Sequence, residues 1–167
     1  MNNMNMKKFI ILISLILLIS CSEQLPEIDP ANPAHAYYTV FESLINESVD
    51  LNEINYVALD LTDINSPYTV PLIQLVQNYC DTNGYTLLLM EFEELKTNGY
   101  LTSLDHDPDR VYFENGVLIS FYDMELSETT LKISASSWNA WSKGAHYTVE
   151  KINDSWEITS VDHPWTS

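Results

Sequence analysis

The chain has 167 residues, 24 Asp plus Glu against 7 Lys plus Arg, a formal net charge of -17 and 46% hydrophobic residues, which suits one globular domain and leaves little room for a second. Four glycines, two cysteines and a normal apolar fraction exclude a collagen, a disulfide-dense miniprotein and an intrinsically disordered chain. With so few cations to neutralise phosphates, the chain is not expected to bind nucleic acid.

In chain order, Lys7 and Lys8 precede an apolar run from Phe9 to Ile19, broken only by Ser14, and then Ser20 and Cys21. As a helix these eleven positions span about 16 Å, roughly half of a bilayer core, so they are too short to cross one. A basic start, a short apolar core and a small residue before the cut describe an export signal. Leu18, Ile19, Ser20 and Cys21 resemble the lipobox of bacterial lipoproteins. The resemblance implies acylation of the Cys21 thiol and cleavage before it, so that residues 1–20 are lost. The mature chain then carries 5 Lys plus Arg against 24 acids, a net charge of 5 - 24 = -19. Its hold on a membrane rests on acyl chains, each buried methylene contributing about 0.8 kcal/mol, because such a surface repels anionic headgroups. Ser22 after the cysteine resembles the outer-membrane sorting pattern of a diderm; in a monoderm the outer face of the plasma membrane is the expected place.

Residues 21–32 contain Pro26 and Pro30 without apolar periodicity and read as a tether, leaving 33–167 as a single domain. Asn32 and Pro33 form a helix start, and Ala34, Tyr37, Tyr38, Phe41, Leu44 and Ile45 make one apolar stripe, predicting a helix over Pro33 to Ser48. The run Tyr56 to Leu61 predicts a buried strand, Pro71 to Asp81 a second helix, Tyr85 to Met90 a strand and Phe92 to Asn98 a brief helix before Gly99.

Beyond residue 110 the apolar residues alternate. Val111 to Glu114 and Val117 to Tyr122, joined by Asn115 and Gly116, predict a hairpin with a type I′ turn. Leu131, Ile133 and Ala135 predict another strand, as do Ala145, Tyr147 and Val149, while Asn153 and Asp154 turn the chain into Trp156, Ile158 and Ser160. Early helices and late strands predict an α+β domain with its helices packed on one mainly antiparallel sheet. The order strand, helix, strand over residues 56 to 90 allows a parallel pair that makes the sheet mixed. A cystatin-like or NTF2-like curved sheet is the nearest architecture, as an analogy of fold alone.

The sequence holds no G-x-S-x-G, H-E-x-x-H, paired C-x-x-C or G-x-G-x-x-G motif. Asp105, Asp107 and Asp109 alternate as the first ligands of a calcium loop do, yet Arg110 stands where that loop turns on Gly, and Gly116 where it needs a bidentate Glu. Calcium is therefore a minor candidate, and no cofactor is expected. Asp60 and Asp63 read as turn or capping residues, and Cys80, at the end of an amphipathic pattern, as a small buried hydrophobe.

All four tryptophans fall in the last thirty residues. Tyr147 and Trp156 are expected in the core and Trp165 to close it, whereas Trp138 and Trp141, with His146 nearby, are candidates for contact with a ligand or partner. The segments W-N-A-W-S-K-G-A-H-Y-T, W-E-I and W-T-S, with E-F-E-E-L-K-T-N-G-Y and F-E-N-G-V-L-I-S-F, resemble the C-terminal halves of small bacterial lipoproteins, a likeness that implies no activity for any residue. The expectation is a lipid-anchored acidic envelope protein, a non-catalytic interaction module. The alternatives are an inhibitor or immunity-like protein against a basic exported enzyme, and a metal-dependent hydrolase built on Asp105, Asp107 and Asp109 or on His146.

Overall fold

The structure is a computed structural model that describes residues 28–48, 54–64, 67–104 and 107–166. The expected export signal and Cys21 lie outside the described residues. Within them the order is α1 (Ala34–Ser48), β1 (Tyr56–Asp60), α2 (Thr69–Asn83), β2 (Thr86–Leu88), α3 (Phe92–Thr97), β3 (Thr102–Leu104), β4 (Asp107–Tyr112), β5 (Gly116–Leu126), β6 (Thr130–Trp138), β7 (Ser142–Ile152) and β8 (Ser155–Thr166). Six strands form one mixed sheet in the order β2-β1-β5-β6-β7-β8, and β3 with β4 forms a separate two-stranded sheet. The α+β class and the mixed sheet are thus as expected.

The first helix starts as its sequence dictates. Asn32 Oδ1 accepts the Ala34 N–H at 2.9 Å, and Pro33, which has no N–H to leave unpaired, stands immediately before the helix. The stretch Ile28 to Asn32, expected as the end of a tether, is bonded to the domain instead. Ile28 carbonyl oxygen lies 3.3 Å from His35 Nε2, and Ala31 carbonyl oxygen accepts the Trp156 indole N–H at 3.3 Å. The second helix begins at Thr69, two residues before Pro71, which a helix tolerates in its first turn because the N–H it lacks has no intrahelical partner.

Strand composition follows the number of covered faces. Val57, Ala58 and Leu59 of β1 are all buried, because α1 and α2 lie on one face and α3 on the other. A strand covered on both sides reads as a continuous apolar run. Strands β6 and β7 are covered on one face alone, and there Leu131, Ile133, Ala135, Ala145, Tyr147 and Val149 alternate with polar neighbours. The main core joins them to Tyr37, Phe41 and Ile45 of α1 and Leu72, Val76 and Cys80 of α2, whereas Ala58, Leu88, Leu95, Phe113 and Leu118 form a smaller core beneath α3.

One expected hairpin does not form. Strands β4 and β5 belong to different sheets, because β5 pairs in parallel with β1 through Tyr56↔Gly116 to Asp60↔Ser120, and antiparallel with β6 on its other side. With both edges of β5 taken, β4 pairs with β3. The Asn115 carbonyl is drawn into the β1 ladder, accepting the N–H groups of Asn55 and Tyr56 at 2.8 and 3.0 Å. Gly116 is required for closeness and not for a left-handed turn: a Cβ there would meet the Phe113 ring at 2.3 Å. The type I′ geometry occurs between β7 and β8, where Asn153 and Asp154 have φ of 50° and 64° between the paired Ile152 and Ser155.

Gly116→Ala is expected to destabilise the fold by about 1–3 kcal/mol in urea titration, through overpacking against the buried Phe113. Phe113→Leu combined with Gly116→Ala should recover part of that loss. Additive losses would show that the glycine serves backbone freedom instead.

Candidate functional site

Strands β6 and β7 pair up to Trp138↔Ser142, leaving Asn139, Ala140 and Trp141 as the connecting loop. Asn139 shapes this loop. Its Oδ1 accepts the N–H of Ala140 at 2.6 Å, and its carbonyl oxygen accepts the Phe113 N–H at 2.7 Å, tying the loop to the chain between β4 and β5. The two tryptophans therefore part company. Trp138 turns edge-on to Phe92, with ring centroids 5.0 Å apart, and packs against the smaller core. Trp141 stays 58% exposed, with the Arg110 guanidinium carbon 4.7 Å from its ring centroid.

An exposed cation–π pair of this kind contributes about 0.5–1 kcal/mol, too little to explain leaving an indole in water by itself. Two clefts border the ring. One of 270 Å³ is lined by Arg110, Val111, Tyr112, Ala140 and Trp141, and one of 330 Å³ reaches Phe92, Trp138 and Ser142. The result is an aromatic ledge with one cation. Neither Arg110 nor Tyr112 was a contact candidate from the sequence, although Arg110 is the one arginine in the chain. They reach Trp141 through the pairing of β4 with β3, which the expected hairpin precluded.

The remaining candidates lie elsewhere. His146 shares the sheet face of Trp138 through the pairs Ser134↔His146 and Trp138↔Ser142, but four residues along β7, about 13 Å away. Its ring centroid is 5.6 Å from that of Trp165 and 6.0 Å from that of His163, and its Nδ1 is buried without a hydrogen-bond partner. Trp165 does not close the main core as expected. It covers Gly144, where a Cβ would meet its ring at 2.3 Å, and remains 36% exposed. Trp156 and Tyr147 do fill the core.

Asp107 is exposed at the start of β4 and Asp109 lies two residues along the same strand, while Asp105 is outside the described residues. Among the described residues, no three His, Cys, Asp or Glu side chains are grouped to hold a metal ion. Asp60 acts as a turn residue, its Oδ1 accepting the N–H and hydroxyl of Thr62 at 3.0 and 2.7 Å. No helix among the described residues is long and apolar enough to cross a membrane.

Cys80 is fully buried, and burial pushes its thiol from the usual 9.0 up to about 12, so it is no nucleophile at neutral pH. Burial raises the neighbouring phenols of Tyr38 and Tyr79 as well, and Tyr147 from 10.0 to about 12. Compared with known proteins, the chain matches no family model, no curated protein and no solved structure.

Trp141→Ala should change stability by less than about 0.5 kcal/mol while removing the indole fluorescence most open to acrylamide, whereas Trp156→Ala should cost about 3–5 kcal/mol. The buried thiol and phenols set the alkaline limit. Their folded-state pKa values exceed the unfolded ones, so their contribution is complete below about pH 9 and is lost as pH rises towards 12. Urea midpoints at pH 7, 9 and 10.5 should fall only in the upper interval, and Cys80→Ala should flatten that fall.

Proposed function

We propose that the chain is a lipid-anchored, acidic cell-envelope protein that works as a non-catalytic interaction module, with the Trp141 ledge as its contact face. The observation that carries this reading is the 58% exposure of Trp141 beside Arg110, Tyr112 and the half-buried Trp138. Trp, Tyr and Arg are the side chains that dominate binding hot spots. Each brings a large contact area that loses little conformational entropy, or a planar set of donors. Here Trp141 sits on a loop pinned by Asn139, with Arg110 and Tyr112 on β4 beside it, so little ordering remains to oppose association.

The anchor is supported by Lys7, Lys8, the apolar run and Ser20 before Cys21. The acylated cysteine places the domain in a bacterial envelope, on the outer membrane of a diderm or the outer face of a monoderm plasma membrane. There the mature net charge of 5 - 24 = -19 favours encounter with a basic envelope or secreted protein. That charge also supports a second reading, an inhibitor or immunity-like protein directed at a basic exported enzyme.

In cells fed labelled palmitate, the wild-type chain should incorporate label and Cys21→Ser should not; an unlabelled wild-type chain with an intact N-terminal methionine would refute the anchor. A photo-crosslinking residue at Ala140 in the native host should yield one envelope adduct that Trp141→Ala or Arg110→Ala reduces at least tenfold. Equal adduct yields in all three backgrounds would remove the ledge from recognition.

A further inference from the structure

The two clefts at the Trp141 ledge share a divider. Arg110, Val111, Ala140 and Trp141 line both, so the guanidinium stands between two largely apolar spaces, one bounded by Tyr112 and the other reaching Phe92 and Trp138. The first is lined by three consecutive residues of β4. One face of a strand presents only every second side chain, so this cleft follows the edge of β4. Among the described residues β4 pairs with β3 alone, and an edge left open is where an extended segment can be added.

Charge at this point is opposite to that of the chain as a whole. Although the chain has 24 Asp plus Glu against 7 Lys plus Arg, neither cleft is lined by a carboxylate. Among the described side chains the ion pairs join Lys132 to Glu125 and Lys151 to Asp154, and Arg110 has no carboxylate partner. Its contact with the Trp141 ring, 4.7 Å from Cζ to the centroid, draws on its charge and uses no N–H donor. The planar fork that matches a carboxylate with two parallel N–H bonds therefore keeps its donors. Charges are screened over roughly 8 Å at physiological ionic strength, so the cation in the clefts counts for more there than acids across the surface.

We infer that the ledge takes an extended segment of a partner protein, laid along β4, which places one Asp or Glu at Arg110 and an apolar side chain in the cleft on each side. Side chains on one face of such a segment recur at every second residue, so its pattern is apolar-x-acidic-x-apolar. The inference rests on the Trp141 ledge being the contact face, and adds what the partner presents to it. A partner drawn in by the overall charge of the chain is then basic in the main and acidic at its point of contact.

The test is an NMR titration of the full-length chain with acetyl-Phe-Ser-Glu-Ser-Leu-amide, followed through the indole N–H of Trp141 and the guanidinium N–H of Arg110. Peptides with Gln or Lys at the central position, and the register-shifted acetyl-Phe-Glu-Ser-Ser-Leu-amide, serve as controls. The Glu peptide should shift both resonances and bind about fivefold more tightly than each control. Arg110→Gln, at an exposed position, should keep the melting temperature and lower the Glu peptide to the affinity of the Gln peptide. Trp141→Ala should weaken the Glu and Gln peptides alike. Equal affinity for these two, both reduced in Trp141→Ala, would overturn the acidic contact and leave the ledge standing, whereas binding indifferent to Trp141→Ala would overturn both. Tightest binding of the Lys peptide or of the shifted register would overturn the inference, as would no binding of any peptide, the ledge itself then being judged by the Ala140 adducts.

Discussion

The parallel ladder between β1 and β5 is the contact on which the rest of the arrangement depends. β1 lies between β2 and β5, is buried on both faces, and takes the edge of β5 that a hairpin with β4 would otherwise occupy. Since β6 holds the other edge, β4 satisfies its backbone groups against β3. The small β3-β4 sheet then projects Arg110 and Tyr112 towards the end of β6, where the bond from Phe113 N–H to Asn139 carbonyl oxygen fixes the Trp loop beside them. The ledge at Trp141 is thus a consequence of strand competition several residues away.

The same ladder divides the interior. On one face, α1 and α2 cover the sheet from β1 to β8, with Trp156 joining the last strand to the stretch before the first helix through its indole N–H, which donates to the Ala31 carbonyl oxygen. On the other, α3 covers only the parallel end, and Ser134, Ser136, His146 and Thr148 alternate outward on the strands beyond it. Two clefts border α3, one beside Trp141 and one at the carboxyl ends of β1 and β2. One is aromatic and includes Arg110, and the other is apolar with Asp60, Glu91 and Glu94 on its wall. They differ in chemistry because α3 contributes Phe92 to the first and its acidic capping box to the second.

Much of this was legible in the residues. Asn32 with Pro33 marked the first helix, the run Tyr56 to Leu61 marked a buried strand, and the alternation at Leu131 and Ala145 marked strands buried on one face. Asn115 with Gly116 misled because a glycine that admits left-handed backbone also admits a close ring. Which of the two uses applies depends on Phe113 and on whether a distant strand claims the edge. Asn153 and Asp154, a less typical I′ pair, formed that turn because their flanking strands had no other partner between them. For the site, Trp141 was visible as an aromatic in a polar loop, whereas its separation from Trp138 and its pairing with Arg110 were not.

Taken alone, the amino-acid sequence determined the periodicities, caps and charge of this protein, and with them its α+β class, since those properties arise among neighbours a few residues apart. Which edge β5 would share and which tryptophan would stay in water were decided by tertiary structure. Each of these is a competition between groups far apart in the chain, settled only when backbone hydrogen bonds and buried volume are satisfied together.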